Sequence, residues 1–197
     1  MRITGGLAKG RRLYTPKTNQ TFLRPTCDRV REALFNILPE KQFKEALVLD
    51  LFAGTGSWGL EALSRGASFA LFADSSLESG HLIENNLNAC FSKPKAGFLQ
   101  IDLASVTKLG FLSSQLPSPH LCNFVFMDPP YQKKLAEPVL KVVEKAKILA
   151  PGALIVVEEH KNVSLPAQIA SLRLVDLRRY GETSLWLFEY RTEPMLA

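Results

Sequence analysis

A chain of 197 residues, 46% hydrophobic and 22% charged, has the size and balance of one sizeable folded domain. It holds no apolar run near the roughly 20 residues that a bilayer-spanning helix needs, so an integral membrane protein is not expected. The net charge of +5 is unevenly placed: residues 1–44 carry ten Lys or Arg against three acids, +7, leaving −2 for the remainder. A basic end on a near-neutral body points to a polyanion partner.

Along the chain, residues 1–24 alternate short apolar pairs with Gly, Lys and Arg, which predicts a β-hairpin and a loop. Pro25-Thr26 then opens a helix with Thr26 as N-cap, in which Val30, Leu34, Ile37 and Leu38 share a face and Pro39 stops it. From Ala46 the pattern becomes alternating strands and helices. Strands are predicted at 46–52, 69–73, 97–101, 123–127 and 153–157, helices at 57–65, 77–90 and 133–149, and a helix or loop over 103–116. Residues 172–179 and 184–191 flank Tyr180-Gly181-Glu182-Thr183 and read as a closing antiparallel hairpin. Strand–helix alternation over about 100 residues means an α/β fold with a mostly parallel, doubly wound sheet. Cys27, Cys90 and Cys122 lie far apart without CxxC spacing, and His81, His120 and His160 are scattered. Neither a disulfide framework nor a metal site is expected. With no signal-peptide core in the opening residues, a reducing cytoplasm is the expected compartment.

Two segments carry chemistry. The first strand ends in Asp50-Leu51-Phe52-Ala53-Gly54-Thr55-Gly56, followed by Ser57-Trp58-Gly59. Gly54, Gly56 and Gly59 match G-x-G-x-x-G, which taken literally is also a dinucleotide fingerprint. A pyrophosphate wants a bare helix N-terminus without a nearby acid. Asp50 before the loop repels phosphate and suits the amino group and sulfonium of S-adenosylmethionine. Asp74, ending the second strand, is placed to accept ribose hydroxyls, and Asp102, ending the third, to take the adenine amine. Tight turns for the glycines and solvated strand ends for the acids are the plain alternatives.

The second segment is Asp128-Pro129-Pro130-Tyr131, directly after the apolar run 124–127. A carboxylate at the carboxyl end of a parallel strand sits where open α/β sheets bind ligands. The two prolines stiffen the turn and remove two backbone donors. Carbonyl acceptors, a carboxylate and an aromatic ring then surround one small space, which fits a planar ring bearing an NH2 group. A plain turn is the alternative. With a methyl donor present, acceptors on the two amine hydrogens localise the nitrogen lone pair toward the methyl, while Tyr131 stacks on the base. Arg2, Lys9, Arg11 and Arg12 on the predicted hairpin, with Arg24, Arg29 and Arg31 near the first helix, are the candidate phosphate contacts.

The chain resembles the bacterial 16S ribosomal RNA guanine-N2 methyltransferases of the RsmD type over nearly its whole length. The resemblance rests on Arg2-Ile3-Thr4-Gly5-Gly6 with Lys9-Gly10-Arg11-Arg12-Leu13, on the stretch from Arg24-Pro25-Thr26-Cys27-Asp28-Arg29 to Leu38, on Asp50 to Gly56, on Glu61-Ala62-Leu63-Ser64-Arg65-Gly66-Ala67, and on Asp128 to Tyr131. The segment from Arg24 to Leu38 is the most specific of these. The resemblance implies a class I methyltransferase core, a Rossmann-like seven-stranded sheet with a C-terminal antiparallel hairpin. Residues 1–44 would form a basic hairpin-and-helix extension for RNA, and residues 45–197 the catalytic domain. It further implies S-adenosylmethionine held by Asp50, Phe52, Ala53, Gly54, Thr55, Gly56, Asp74 and Asp102. Catalysis falls to Asp128, Pro129, Pro130 and Tyr131, without metal. The substrate implied is 16S rRNA in the small subunit or an assembly intermediate, and a monomer is expected. Asp74 stands where the family usually has Glu, with Ser75-Ser76 in place of a charged pair. Trp58 replaces a smaller aliphatic residue and is expected to pack on the sheet or to narrow the cofactor pocket. Asn86 matches a family asparagine that gives structural support. An adenine-N6 methyltransferase and a non-catalytic RNA-binding assembly protein are the competing readings.

Overall fold

The structure is a computed structural model that describes residues 1–16, 25–105, 107, 109–118, 121–131 and 133–192, with no side-chain description for residues 25–28. Helix α1 spans Pro25–Ile37, followed by β1 (Leu47–Leu51), α2 (Ser57–Ser64), β2 (Phe69–Asp74), α3 (Leu77–Cys90), β3 (Ala96–Gln100), β4 (Cys122–Met127), α4 (Ala136–Lys145), β5 (Leu149–His160), β6 (Gln168–Ile169), β7 (Leu172–Tyr180) and β8 (Thr183–Tyr190). One sheet contains all eight strands in the order β3-β2-β1-β4-β5-β8-β7-β6. The strands from β3 to β5 are parallel, and β8, β7 and β6 add antiparallel. The expected seven strands are therefore joined by the two-residue edge strand β6.

The apolar runs become strands because both faces of the sheet are covered. Leu49, Leu51, Leu71, Val125 and Ile155 pack on one side with Val139, Leu140 and Val143 of α4. Val48, Phe72, Phe124 and Phe126 pack on the other with Leu60 of α2, Ile83 of α3 and Leu34 and Phe35 of α1. Ile3, Ala8 and Leu13 join this second core, so the N-terminal segment is built into the face beside α1 and α2. Its chain reversal is held by bonds from Ile3 N–H to Arg11 C=O (3.0 Å) and from Gly10 N–H to Ile3 C=O (2.8 Å), with Arg2 and Arg12 bridging antiparallel. Glu61 of α2, fully buried, accepts from the Thr4 N–H, the Thr4 hydroxyl and the Gly5 N–H, each at 2.8 Å, and from Arg65 Nε at 2.9 Å. A buried carboxylate this well satisfied fixes the segment in place.

Three boundaries differ from expectation for physical reasons. Helix α1 begins at Pro25, so Thr26 lies within the first turn and not ahead of it. Proline suits that position because its missing N–H would be unbonded anyway. Helix α4 is shorter than 133–149 because Lys134 (φ 52°) and Lys147 (φ 56°) break the helical path on either side. Strand β5 begins at Leu149, since Pro151-Gly152 is absorbed as an irregularity against β4 and not as a turn. The region expected as helix or loop over 103–116 contains a short 3₁₀ segment, Gly110–Gln115.

Candidate active site

The strand order reverses between β1 and β4, and open α/β sheets bind ligands at such a point, beyond the carboxyl ends of the strands. A cleft of about 810 Å³ lies there. Its walls bring together Phe52, Ala53, Gly54 and Thr55 after β1, Asp74 after β2, Asp102 after β3 and Asp128, Pro129, Pro130 and Tyr131 after β4. Met1 and Trp58 line it as well.

The glycine loop turns sharply into α2. Gly56 is the N-cap with φ +76°, and a Cβ there would come within 2.9 Å of the Ile83 side chain. Both the dihedral and the close packing demand glycine. Gly59 lets α2 approach the sheet, since a Cβ would meet the Phe72 ring at 2.4 Å. Asp74 ties the loop to β2: one carboxylate oxygen accepts from Gly54 N–H and the other from Ser76 N–H, both at 2.9 Å. Ionised, the carboxylate has about four lone-pair sites, so each oxygen retains a second site for a hydroxyl donor. Asp102 is exposed, with its oxygens bonded to Ala104 N–H (2.9 Å) and the Ser105 hydroxyl (3.1 Å). Asn86, fully buried, accepts from Tyr14 N–H (2.6 Å) and donates to Thr55 C=O (3.0 Å), linking the glycine loop to the N-terminal segment. Trp58 stacks on Phe126 at 5.3 Å, packing on the sheet, and also borders the cleft.

Asp50 departs from expectation. It lies beneath the loop, only 1% exposed, and accepts from Gly59 N–H at 2.9 Å. Burial pushes its carboxyl up to about 8, opposed by the Gly59 bond and assisted by the charge of Asp74. Asp50 therefore supports the loop from below as a mostly neutral acid and does not face the cleft as a charge. Its side chain shares the β1 face that carries α2, which explains the enclosure.

The candidate phosphate contacts divide. Arg2, Lys9, Arg11, Arg12 and Arg29 are exposed, whereas Arg24 lies outside the described residues. Arg31 is 1% exposed, donates to the Arg2 carbonyl at 2.6 Å and lies 3.6 Å from Glu61. Its guanidinium joins the buried network around Glu61 and also borders the cleft, so it is not an exposed phosphate contact like its neighbours.

Sequence reading missed Glu158 and Thr183. The Tyr131 hydroxyl donates to Glu158 Oε1 at 3.1 Å and lies 3.2 Å from the Thr183 hydroxyl. Glu158 borders the cleft from the next strand, since Met127 of β4 pairs with Val157 of β5. Its place directly after the predicted strand 153–157 was the available signal. Among the described residues no group of three or more His, Cys, Asp or Glu could hold a metal ion, and no helix is long and apolar enough to cross a membrane.

This sheet order, with a glycine loop after β1 and an acid after β2, defines a class I methyltransferase fold. The profile of the family described as conserved hypothetical protein 95, the RsmD family, matches residues 1–189, and the chain belongs to that family. The ribosomal RNA small subunit methyltransferase D of Haemophilus influenzae is 39% identical over 166 residues, covering 84% of this chain and 81% of the relative. The protein of the same name from Escherichia coli K12 is 36% identical over 189 residues, covering 96% and 89%. A solved structure of a provisionally assigned methyltransferase from Escherichia coli superposes with a TM-score of 0.78 at 33% identity, covering 98% of this chain and 99% of that one.

Proposed function

We propose that this chain is an rRNA methyltransferase that moves a methyl group from S-adenosylmethionine to the exocyclic N2 amine of a guanine in the 16S rRNA of the small subunit. The observation that carries this reading is the convergence, in one cleft, of the Asp74-braced glycine loop with Asp128–Tyr131. The residues fit the cofactor. About 810 Å³ accommodates a nucleoside and a base together, and Asp74 keeps acceptor capacity at the loop, where ribose hydroxyls would lie. Phe52, Ala53, Gly54 and Thr55 line the adjacent wall, and Asp102 borders the next strand end, where it would meet the adenine amine. Glu158, with its bond from Tyr131, adds a second acid near the target base.

When bound, S-adenosylmethionine would supply a sulfonium-activated methyl carbon, with sulfur keeping the bonding electron pair as the methyl leaves. The Asp128 carboxylate and the Pro129 carbonyl accept the two N2 hydrogens and aim the nitrogen lone pair at that carbon. They also stabilise the positive charge that grows on nitrogen, and Asp128 takes the proton that leaves. Tyr131 stacks on the base. Asp128 need not be a strong base, because a methylated exocyclic ammonium on the base is very acidic. A loop nucleotide reaches such a pocket at less cost than one that must leave a helix. Residues 1–44 serve as the extension that contacts RNA, through Arg2, Lys9, Arg11, Arg12 and Arg29, on a catalytic domain formed by residues 45–197.

The test is transfer of labelled methyl from S-adenosylmethionine to small subunits that lack the modification, beside large subunits and bare 16S rRNA. Label in the small-subunit rRNA alone, or in small-subunit particles more than in bare RNA, supports the proposal. Equal labelling of large-subunit rRNA, or none in any RNA, refutes it.

A further inference from the structure

Tyr131 is gripped by its hydroxyl. The phenol has one hydrogen, donated to Glu158 Oε1 at 3.1 Å, so the Thr183 hydroxyl 3.2 Å away donates to the phenol oxygen. The ring also meets His160 edge-on, with centroids 5.9 Å apart and planes 70° apart. Glu158 and Thr183 are 2% and 1% exposed. They come from facing strands, since His160 of β5 pairs with Thr183 of β8. The antiparallel strand β8 is therefore linked through Thr183 to Tyr131 at the cleft. Burial first, and then the negative charge of Glu158, hold the phenol well above its ordinary pKa, so it remains a donor across the working pH range.

A buried carboxylate is costly, and filling space behind a tyrosine does not require one. A carboxylate is a stronger acceptor than a neutral group, and with Thr183 on the other side the phenol is held from two directions. We propose that Glu158 and Thr183 are positioning residues, which act through the Tyr131 hydroxyl to hold its ring against the target guanine. The inference rests on the proposed methyl transfer, in which Tyr131 stacks on the base. A tilt of the ring displaces the amine from the line of attack, and a displacement of about 1 Å can cost on the order of 10²-fold in rate.

The test is a double-mutant cycle on under-methylated small subunits, with S-adenosylhomocysteine affinity and melting temperature measured in parallel. Tyr131→Phe keeps the ring and removes the grip. It should lower kcat by roughly 10- to 100-fold with cofactor affinity unchanged. Glu158→Ala and Thr183→Val should lower kcat in the wild-type background but have little further effect in the Tyr131→Phe background. Glu158→Gln, whose amide oxygen still accepts, should recover most of the rate lost in Glu158→Ala. Tyr131→Phe at wild-type kcat would overturn the inference even if Glu158→Ala fails to fold. So would Glu158→Ala or Thr183→Val costing the same factor in both backgrounds, which is the mark of a general packing role. A wild-type enzyme that transfers no methyl to any RNA would instead overturn the proposed function.

Discussion

Replacing Asp50 with asparagine keeps the side chain's shape and the bond from Gly59 N–H, and removes only the ability to ionise. The carboxyl is pushed from 3.8 to about 8 in the folded chain, chiefly by burial. Between those values the folded state holds a proton that the unfolded state has released. Stability must therefore fall as pH rises through this window, by up to about 1.4 kcal/mol per pH unit from this group, and the dependence flattens above about 8. Asp50→Asn should flatten the slope. The extra amide hydrogens add an offset of about 1–3 kcal/mol if one is left without a partner, but that offset does not vary with pH. The assay is urea unfolding at pH 5, 6, 7, 8 and 9 for both proteins. The difference in stability should move in favour of Asp50→Asn as pH rises. Because Asp50 is mostly neutral at pH 7, the same substitution should change S-adenosylhomocysteine affinity less than Asp74→Ala does. Parallel stability profiles would show that Asp50 is ionised in the folded state. A large loss of cofactor affinity in Asp50→Asn would restore it as a charge acting on the cofactor.

Three further outcomes follow from the site. Asp128→Ala should cost on the order of 10²–10³ in rate with cofactor binding nearly intact, because one preorganised acceptor is lost; single-turnover transfer at the wild-type rate would remove Asp128 from the chemistry. Asp74→Ala should weaken S-adenosylhomocysteine binding by roughly 1.5–3 kcal/mol, through the lost charged acceptor and the loosened Gly54 N–H, and calorimetry that gives an unchanged affinity would mean that Asp74 only braces the loop. Arg11→Ala with Arg12→Ala should weaken small-subunit binding and lower the log–log salt slope by about 0.7–0.9 per lost phosphate contact, without touching cofactor affinity. Slopes parallel to wild type would assign these arginines to solvated surface.

The parallel strands were legible because burial on both faces leaves near-continuous apolar runs, as in Leu47–Leu51, interrupted by Asp50, and in 124–127 of β4. The two segments that meet at the cleft were legible because each chemistry sits in one short stretch at a strand end. What stayed hidden depends on contacts between distant segments. Arg31 resembles the exposed arginines around it, and only the fold delivers Glu61 to its side. Asp50 carries a charge in the sequence that its position under α2 suppresses. Thr183 lies 52 residues from Tyr131, and no local pattern joins a tyrosine after β4 to a threonine that opens β8. The strand irregularity at Pro151-Gly152 was unreadable because the pair is also a turn signal.

The central claim is transfer to a guanine amine, and the most direct measurement is the identity of the modified nucleoside. Small subunits lacking the modification are incubated with the enzyme and labelled S-adenosylmethionine, and their 16S rRNA is digested and resolved by mass spectrometry. The account predicts label in N2-methylguanosine at one position, approaching one methyl per particle, and absent with Asp128→Ala. Label in N6-methyladenosine, or spread over many positions, would contradict it.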